Sequence, residues 1–247
     1  MTLPIVALHG FTGSPASFDA VRALLPTQLD WHLPLLLGHG KPPVALDLSA
    51  FEQEVERLAR ELPHGPCLLV GYSLGARLAL ALGARYPERV HAAIWISGRD
   101  GLLTEAERQA RRAQDAEHIR LLEQTGLASF VQAWEALPLF ASQRALPEGV
   151  QRRQRLERSG HTAAGLAQSL RVTGLAEMPY YGGALGAIHA SVTLLVGAAD
   201  VAFCQHAAAV VGNLRNGNVT ALPGAGHNLL LERPAEVASA IERGLQA

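Results

Sequence analysis

Gly71-Tyr72-Ser73-Leu74-Gly75 sets a serine between two glycines in the G-x-S-x-G spacing, which presents a hydroxyl at a sharp strand-to-helix turn. A serine hydroxyl is inert at neutral pH until a base draws its proton. The pattern therefore calls for a histidine, and behind it a carboxylate that fixes the imidazole tautomer. The chain has 10 histidines. His227 stands in a glycine-rich loop late in the chain, Pro223-Gly224-Ala225-Gly226-His227-Asn228, whereas His64, His91, His118, His161, His189 and His206 lack a loop-after-strand setting. Two acids follow apolar runs, Asp100 and Asp200. Asp200 fits better, because its loop contains Gly197 and it gives the order Ser…Asp…His; its competing use is as a helix cap. His9-Gly10-Phe11 follows the first apolar run, so the backbone N–H groups of Phe11 and Leu74 are the expected oxyanion hole. His9 itself reads as a structural hydrogen-bonding residue.

Positioning such groups requires a scaffold. Short apolar runs at 4–8, 33–37, 67–71, 92–96, 192–196 and 218–222 alternate with helical patterns at 17–25, 48–61, 74–86 and 234–245. That alternation predicts an α/β fold whose mostly parallel sheet is flanked by helices on both faces. The region 101–183 breaks it. Amphipathic helices are expected at 104–124, 127–137, 149–159 and 163–173, the first opened by a capping box from Thr104 to Glu107. The division that follows is an α/β core, 1–100 and 184–247, with a helical lid, 101–183, over the carboxyl ends of the strands. Open α/β sheets bind their ligands at that edge.

Composition removes other classes. The set AVILMFWYC makes up 49% of 247 residues and charged residues 17%, enough for a sizeable core. A formal net charge of −1 gives no electrostatic case for nucleic acid. No apolar run approaches the roughly 20 residues that span a bilayer. Met1-Thr2-Leu3-Pro4 leads directly into an apolar run with no basic region before it, so a cytoplasmic location is the expectation. Cys67 and Cys204 make neither a disulfide framework nor a metal cage and read as small buried residues. Nothing resembles a phosphate loop or a metal-ligand cluster, and no cofactor is expected. Lys41 is the single lysine among 21 basic residues, so arginine abundance says less than arginine position.

Taken together these motifs resemble the α/β-hydrolase superfamily across essentially the whole chain. Gly71-Tyr72-Ser73-Leu74-Gly75-Ala76-Arg77, Gly101-Leu102 with its arginine-rich helix, Trp134-Glu135-Ala136-Leu137-Pro138-Leu139-Phe140-Ala141-Ser142 and Gly224-Ala225-Gly226-His227-Asn228 are similar to one of its families, the 2-succinyl-6-hydroxy-2,4-cyclohexadiene-1-carboxylate synthases of menaquinone biosynthesis. The resemblance implies a lyase that eliminates pyruvate from a polycarboxylate, with Ser73, Asp200 and His227 as triad. It implies Arg77, Arg111 and Arg158 as substrate-binding arginines, and Tyr72 and Trp134 as pocket aromatics. Forked guanidinium groups suit carboxylates. Arg111 shares a helix face with Arg108, while Arg112 points elsewhere. Two departures bear on specificity: Leu35-Leu36-Leu37-Gly38-His39-Gly40 lacks the family's acid and proline, and Glu135 stands where a tyrosine is common. The competing reading is a carboxylesterase or C–C hydrolase acting on a small acid; a non-catalytic binding protein of this fold would need a broken triad.

Overall fold

The structure, a computed structural model, describes residues 3–247. Six strands form one sheet in the order β2-β1-β3-β4-β5-β6, and every neighbouring pair is parallel. They are β1 (Ile5–Leu8), β2 (Trp31–His32), β3 (Cys67–Tyr72), β4 (Val90–Ile96), β5 (Ser191–Gly197) and β6 (Gly217–Leu222). In chain order the helices are α1 (Asp19–Arg22), α2 (Phe51–Glu61), α3 (Leu74–Arg85), α4 (Glu105–Glu135), α5 (Glu148–Arg158), α6 (Ala163–Thr173), α7 (Val201–Val210), α8 (Leu229–Glu232) and α9 (Pro234–Leu245).

The central strands are near-continuous apolar runs because both faces are covered. On one face Val6, Leu8, Leu69 and Trp95 pack with Val55 and Leu58 of α2 and Leu78 and Leu82 of α3. On the other, Ile5, Ala7, Val70 and Ile94 pack with Val21 of α1 and Val237 and Ile241 of α9. Parallel strands then deliver their carboxyl ends, and the residues just after them, to one edge.

The expected second strand is displaced. Only Trp31 and His32 pair with β1, and 33–37 leaves the sheet. Pro34 has no N–H to give a ladder. The Leu36 N–H donates to His9 Nε2 at 3.2 Å and the Leu37 N–H to Glu54 Oε1 at 2.9 Å, so side chains satisfy this backbone. The predicted helix at 17–25 is likewise shorter, a 3₁₀ turn at Pro15–Phe18 running into α1.

Between β4 and β5 the chain runs through α4, α5 and α6 with no strand among them. Thr104 and Glu107 make the reciprocal capping box at the start of α4. Gly126, at φ 82°, breaks α4 where the sequence pattern separates two helices. Phe130 and Val131 of α4 pack on Leu166 and Leu170 of α6 in a cluster of their own, joined by Phe11 from the core. Among the described residues no helix is long and apolar enough to cross a membrane.

Candidate active site

Ser73 stands between β3 and α3, capping the helix, with φ 53° and ψ −108°, a left-handed conformation that a serine adopts only where its surroundings enforce it. The flanking glycines are required by close approach. A Cβ on Gly71 would strike the Gly75 carbonyl, and one on Gly75 would strike the Leu8 carbonyl. Held this way, Ser73 Oγ lies 3.0 Å from His227 Nε2, and His227 Nδ1 lies 2.7 Å from Asp200 Oδ2. With Nδ1–H donating to the carboxylate, Nε2 is left to accept from the serine hydroxyl. Asp200 makes no side-chain cap to α7. The rival acid, Asp100, instead faces His206 Nε2 at 3.1 Å.

The loop bearing His227 is fixed from three sides. Ser97 Oγ donates to the His227 carbonyl at 2.9 Å. The buried Glu232 carboxylate accepts the N–H of Gly226 at 2.6 Å and that of Asn228 at 3.2 Å. Phe203 packs its ring 4.6 Å from the imidazole. Ser97 and Glu232 were not singled out by sequence. Glu232 carries one usable signal, an acid five positions after a loop histidine, but a contact to two backbone amides leaves no pattern of residue types.

The oxyanion loop is also tied down. His9 donates from Nδ1 to the Gly10 carbonyl at 2.8 Å, the structural role expected of it. The Thr12 N–H donates to His39 Nε2 and the Thr12 carbonyl accepts from His161 Nε2, both at 3.1 Å. Burial lowers the pKa of all three imidazoles, His9 to about 3, so they serve here as neutral hydrogen-bonding groups. Glu157, at the end of α5, accepts from the Ser14 N–H at 2.9 Å and from the Ser14 and Ser17 hydroxyls at 2.6 Å. Neither the Phe11 nor the Leu74 N–H is taken by a protein acceptor among the described residues.

These groups open on a cavity of about 850 Å³, its mouth included. Ser73 and His227 line it with Phe11, Tyr72 and Leu74, and the helical insertion contributes Arg111, Trp134 and Thr173. Burial raises the Tyr72 phenol, which stays protonated. Arg77 is half-buried in the cavity wall, donates to the Thr173 carbonyl at 2.8 Å, and is pushed down to about 9 by burial and by neighbouring Arg111. Arg111 Nε pairs with buried Asp115 at 2.9 Å. Arg108 shares that helix face but spends its donors on the Ala176 and Met178 carbonyls. Arg112 pairs outward with Glu105 and Glu177. Arg99 also lines the cavity, and sequence inspection passed over it in weighing its neighbour Asp100.

Arg158 lies behind the cavity wall, close enough to cavity-lining Tyr72 for the two groups to influence each other electrostatically. Its guanidinium lies 5.1 Å from the Phe140 ring centroid, on a separate depression, while Phe140 itself faces the cavity. Glu135 neutralises it at 3.1 Å and Arg155 at 2.6 Å, so the departure noted at 135 turns away from the anion pocket and holds Arg158 with it. The cysteines lie outside the cavity, and burial raises both thiols; Cys67 is buried, but Cys204 is only half-buried. Among the described residues no group of three or more His, Cys, Asp or Glu is placed to hold a metal ion.

A serine at a strand-to-helix turn, a histidine-aspartate relay and two free backbone donors beside an all-parallel sheet define a class, and the chain belongs to the alpha/beta hydrolase family, whose family model matches residues 5–240. Within it, several relatives share one name. The chain is 34% identical over 235 residues, 93% of its length and 85% of the relative's, to a Bacillus subtilis protein provisionally named 2-succinyl-6-hydroxy-2,4-cyclohexadiene-1-carboxylate synthase. It is 31% identical over 245 residues to the synthase of that name from Enterobacter sp., covering 98% of this chain and 91% of that one. Among solved structures it superposes on MenH from S. aureus with a TM-score of 0.91 at 27% identity, covering 100% of this chain and 94% of that one. A thermophilic esterase from Thermogutta terrifontis matches at 0.83 and 24% identity, over 100% of this chain and 90% of its own, a likeness of fold.

Proposed function

We propose that this chain is a lyase that eliminates pyruvate from 2-succinyl-5-enolpyruvyl-6-hydroxy-3-cyclohexene-1-carboxylate, the step to which its synthase relatives owe their name. One observation carries the reading: the cavity that receives the Ser73–His227–Asp200 relay is also lined by guanidinium groups, Arg77 and Arg111, as a polycarboxylate substrate requires.

In this reading His227 Nε2 draws the Ser73 proton, and Ser73 Oγ takes the substrate proton α to a carbonyl. The electron pair moves onto the carbonyl oxygen, which the Phe11 and Leu74 N–H groups receive. Its return breaks the C–O bond to the enolpyruvyl group, which leaves and takes up a proton to become pyruvate. A positioned base contributes about 10²–10⁴-fold and one oxyanion donor about 10²–10³-fold. The helices between β4 and β5 act as the lid, and a cytoplasmic location fits a small anionic substrate.

The test is to supply the enolpyruvyl substrate and follow pyruvate, then supply p-nitrophenyl esters. Rapid pyruvate release with slow ester cleavage is expected. Fast ester turnover with no pyruvate would give the site to the hydrolases.

A further inference from the structure

Arg99 carries a guanidinium that no hydrogen bond or ion pair among the described residues engages, its nearest electrostatic influence being a weak lowering of the exposed Glu107 carboxyl. It follows β4 after Ser97 and Gly98, at the carboxyl edge of the sheet between the Ser73 turn on β3 and the Asp200 loop on β5. It lines the same cavity as Ser73 and His227. Among the described residues it makes no ion pair and no hydrogen bond, and its Nε is buried without a partner. The nearby acids are committed elsewhere: Asp100 faces His206, and Glu107 closes the capping box with Thr104. The other two cavity arginines each have an acceptor, Thr173 for Arg77 and Asp115 for Arg111. Trp134, across the cavity on the helical insertion, likewise keeps a buried indole N–H unpartnered.

A buried donor left unsatisfied is unfavourable, and a charged one more so. Such a group persists where a ligand completes it, since sites built for binding are held at some expense of stability. We infer that Arg99 is a third carboxylate anchor of the cavity, a specificity-determining residue that receives one carboxylate of a polycarboxylate ligand at the core side, opposite the insertion. This rests on the polycarboxylate substrate proposed above and adds a residue to its recognition. Because Arg99 and Arg77 sit on the core and Arg111 on the insertion, a ligand that engages all three must carry more than one carboxylate.

The experiment is a calorimetric titration of the full chain with propane-1,2,3-tricarboxylate, run on wild type, Arg99→Gln and Arg112→Gln, with a thermal melt of each free protein. Arg99→Gln is expected to weaken binding about 10- to 100-fold, the worth of a charged hydrogen bond. Its free-protein Tm should stay level or rise, because the lost guanidinium had no partner. Arg112→Gln should leave affinity unchanged. Unchanged affinity in Arg99→Gln overturns the proposal, as does a wild type that does not bind the probe. So does a fall of Tm along with affinity, which would make the arginine a structural one. The reading beneath it fails separately. Probe binding that depends on Arg99 in a protein releasing no pyruvate keeps the anchor and discards the lyase. Pyruvate release with an Arg99→Gln KM equal to wild type discards the anchor alone.

Discussion

The two halves of the cavity are finished to different degrees. Where the chemistry would take place, each reacting side chain already has its partner: Ser73 has His227, His227 has Asp200, and the histidine loop is strapped by Ser97 and Glu232. The recognition side is incomplete, with Arg99 unpaired and the Trp134 N–H unsatisfied. The contrast teaches where the structure invests its rigidity. Proton transfer needs distances fixed to a fraction of an ångström before substrate arrives. Anion recognition needs donors that a protein acceptor has not already saturated.

Replacing Ser73 by alanine attacks the finished half at its centre. Pyruvate release should fall by about 10²–10⁴-fold, the worth of a positioned base, while the thermal melt stays at the wild-type value. Arg77→Ala attacks the other half, and KM should rise about 10- to 100-fold as one charged hydrogen-bond donor to the ligand is lost. If the effect fell on kcat alone, the division into a catalytic and a binding half would be wrong at that residue.

Glu232→Gln keeps the shape but removes one of the two acceptor oxygens that hold Gly226 and Asn228. A loss of about 1–3 kcal/mol is expected, which for a chain of this size lowers Tm by about 2–4 °C per kcal/mol. Pyruvate release should drop with it, because His227 lies between the two amides. A Tm unchanged from wild type would show that the strap is decorative.

Acid should loosen the oxyanion loop by a separate route. Folded His9 titrates near 3, below its ordinary value of 6.5, so between those values the unfolded chain binds the extra proton. Stability is therefore complete above about pH 6.5 and falls as pH drops toward 3, by up to about 1.4 kcal/mol per pH unit for each such histidine. His39 and His161 shift in the same direction and steepen the fall. Denaturant melts between pH 7 and 4 check this; a flat profile would mean these imidazoles are not held neutral. The smallest effects belong to arginines outside the cavity. Arg112→Ala should change KM less than about two-fold, as exposed ion pairs contribute little, and Arg158→Ala should change it less than Arg77→Ala because Phe140 and Glu135 screen it.

Residue types reveal some of this arrangement and conceal the rest for physical reasons. The G-x-S-x-G turn, the late glycine-rich histidine loop and Asp200 were legible because steric demand leaves a spacing: glycines where a Cβ would collide, and loops directly after apolar runs. The break in α4 was legible through Gly126. The run at 33–37 misled because apolarity reports burial, and Leu36 and Leu37 are buried without being in a strand. Arg158 entered only through likeness to a family pattern, which names a residue type without its depth, and in the fold it lies behind Phe140 at the cavity wall. Arg99 was hidden for the opposite reason: its meaning lies in having no partner, which only the folded chain displays.

The sharpest test of the contrast is a crystal structure of the Ser73→Ala protein with the enolpyruvyl substrate bound. The account predicts that His227 and Asp200 keep their 2.7 Å contact, while substrate carboxylates lie within hydrogen-bond distance of Arg77, Arg99 and Arg111. A relay that assembles only when substrate binds, or a substrate whose carboxylates leave those guanidinium groups untouched, would contradict it.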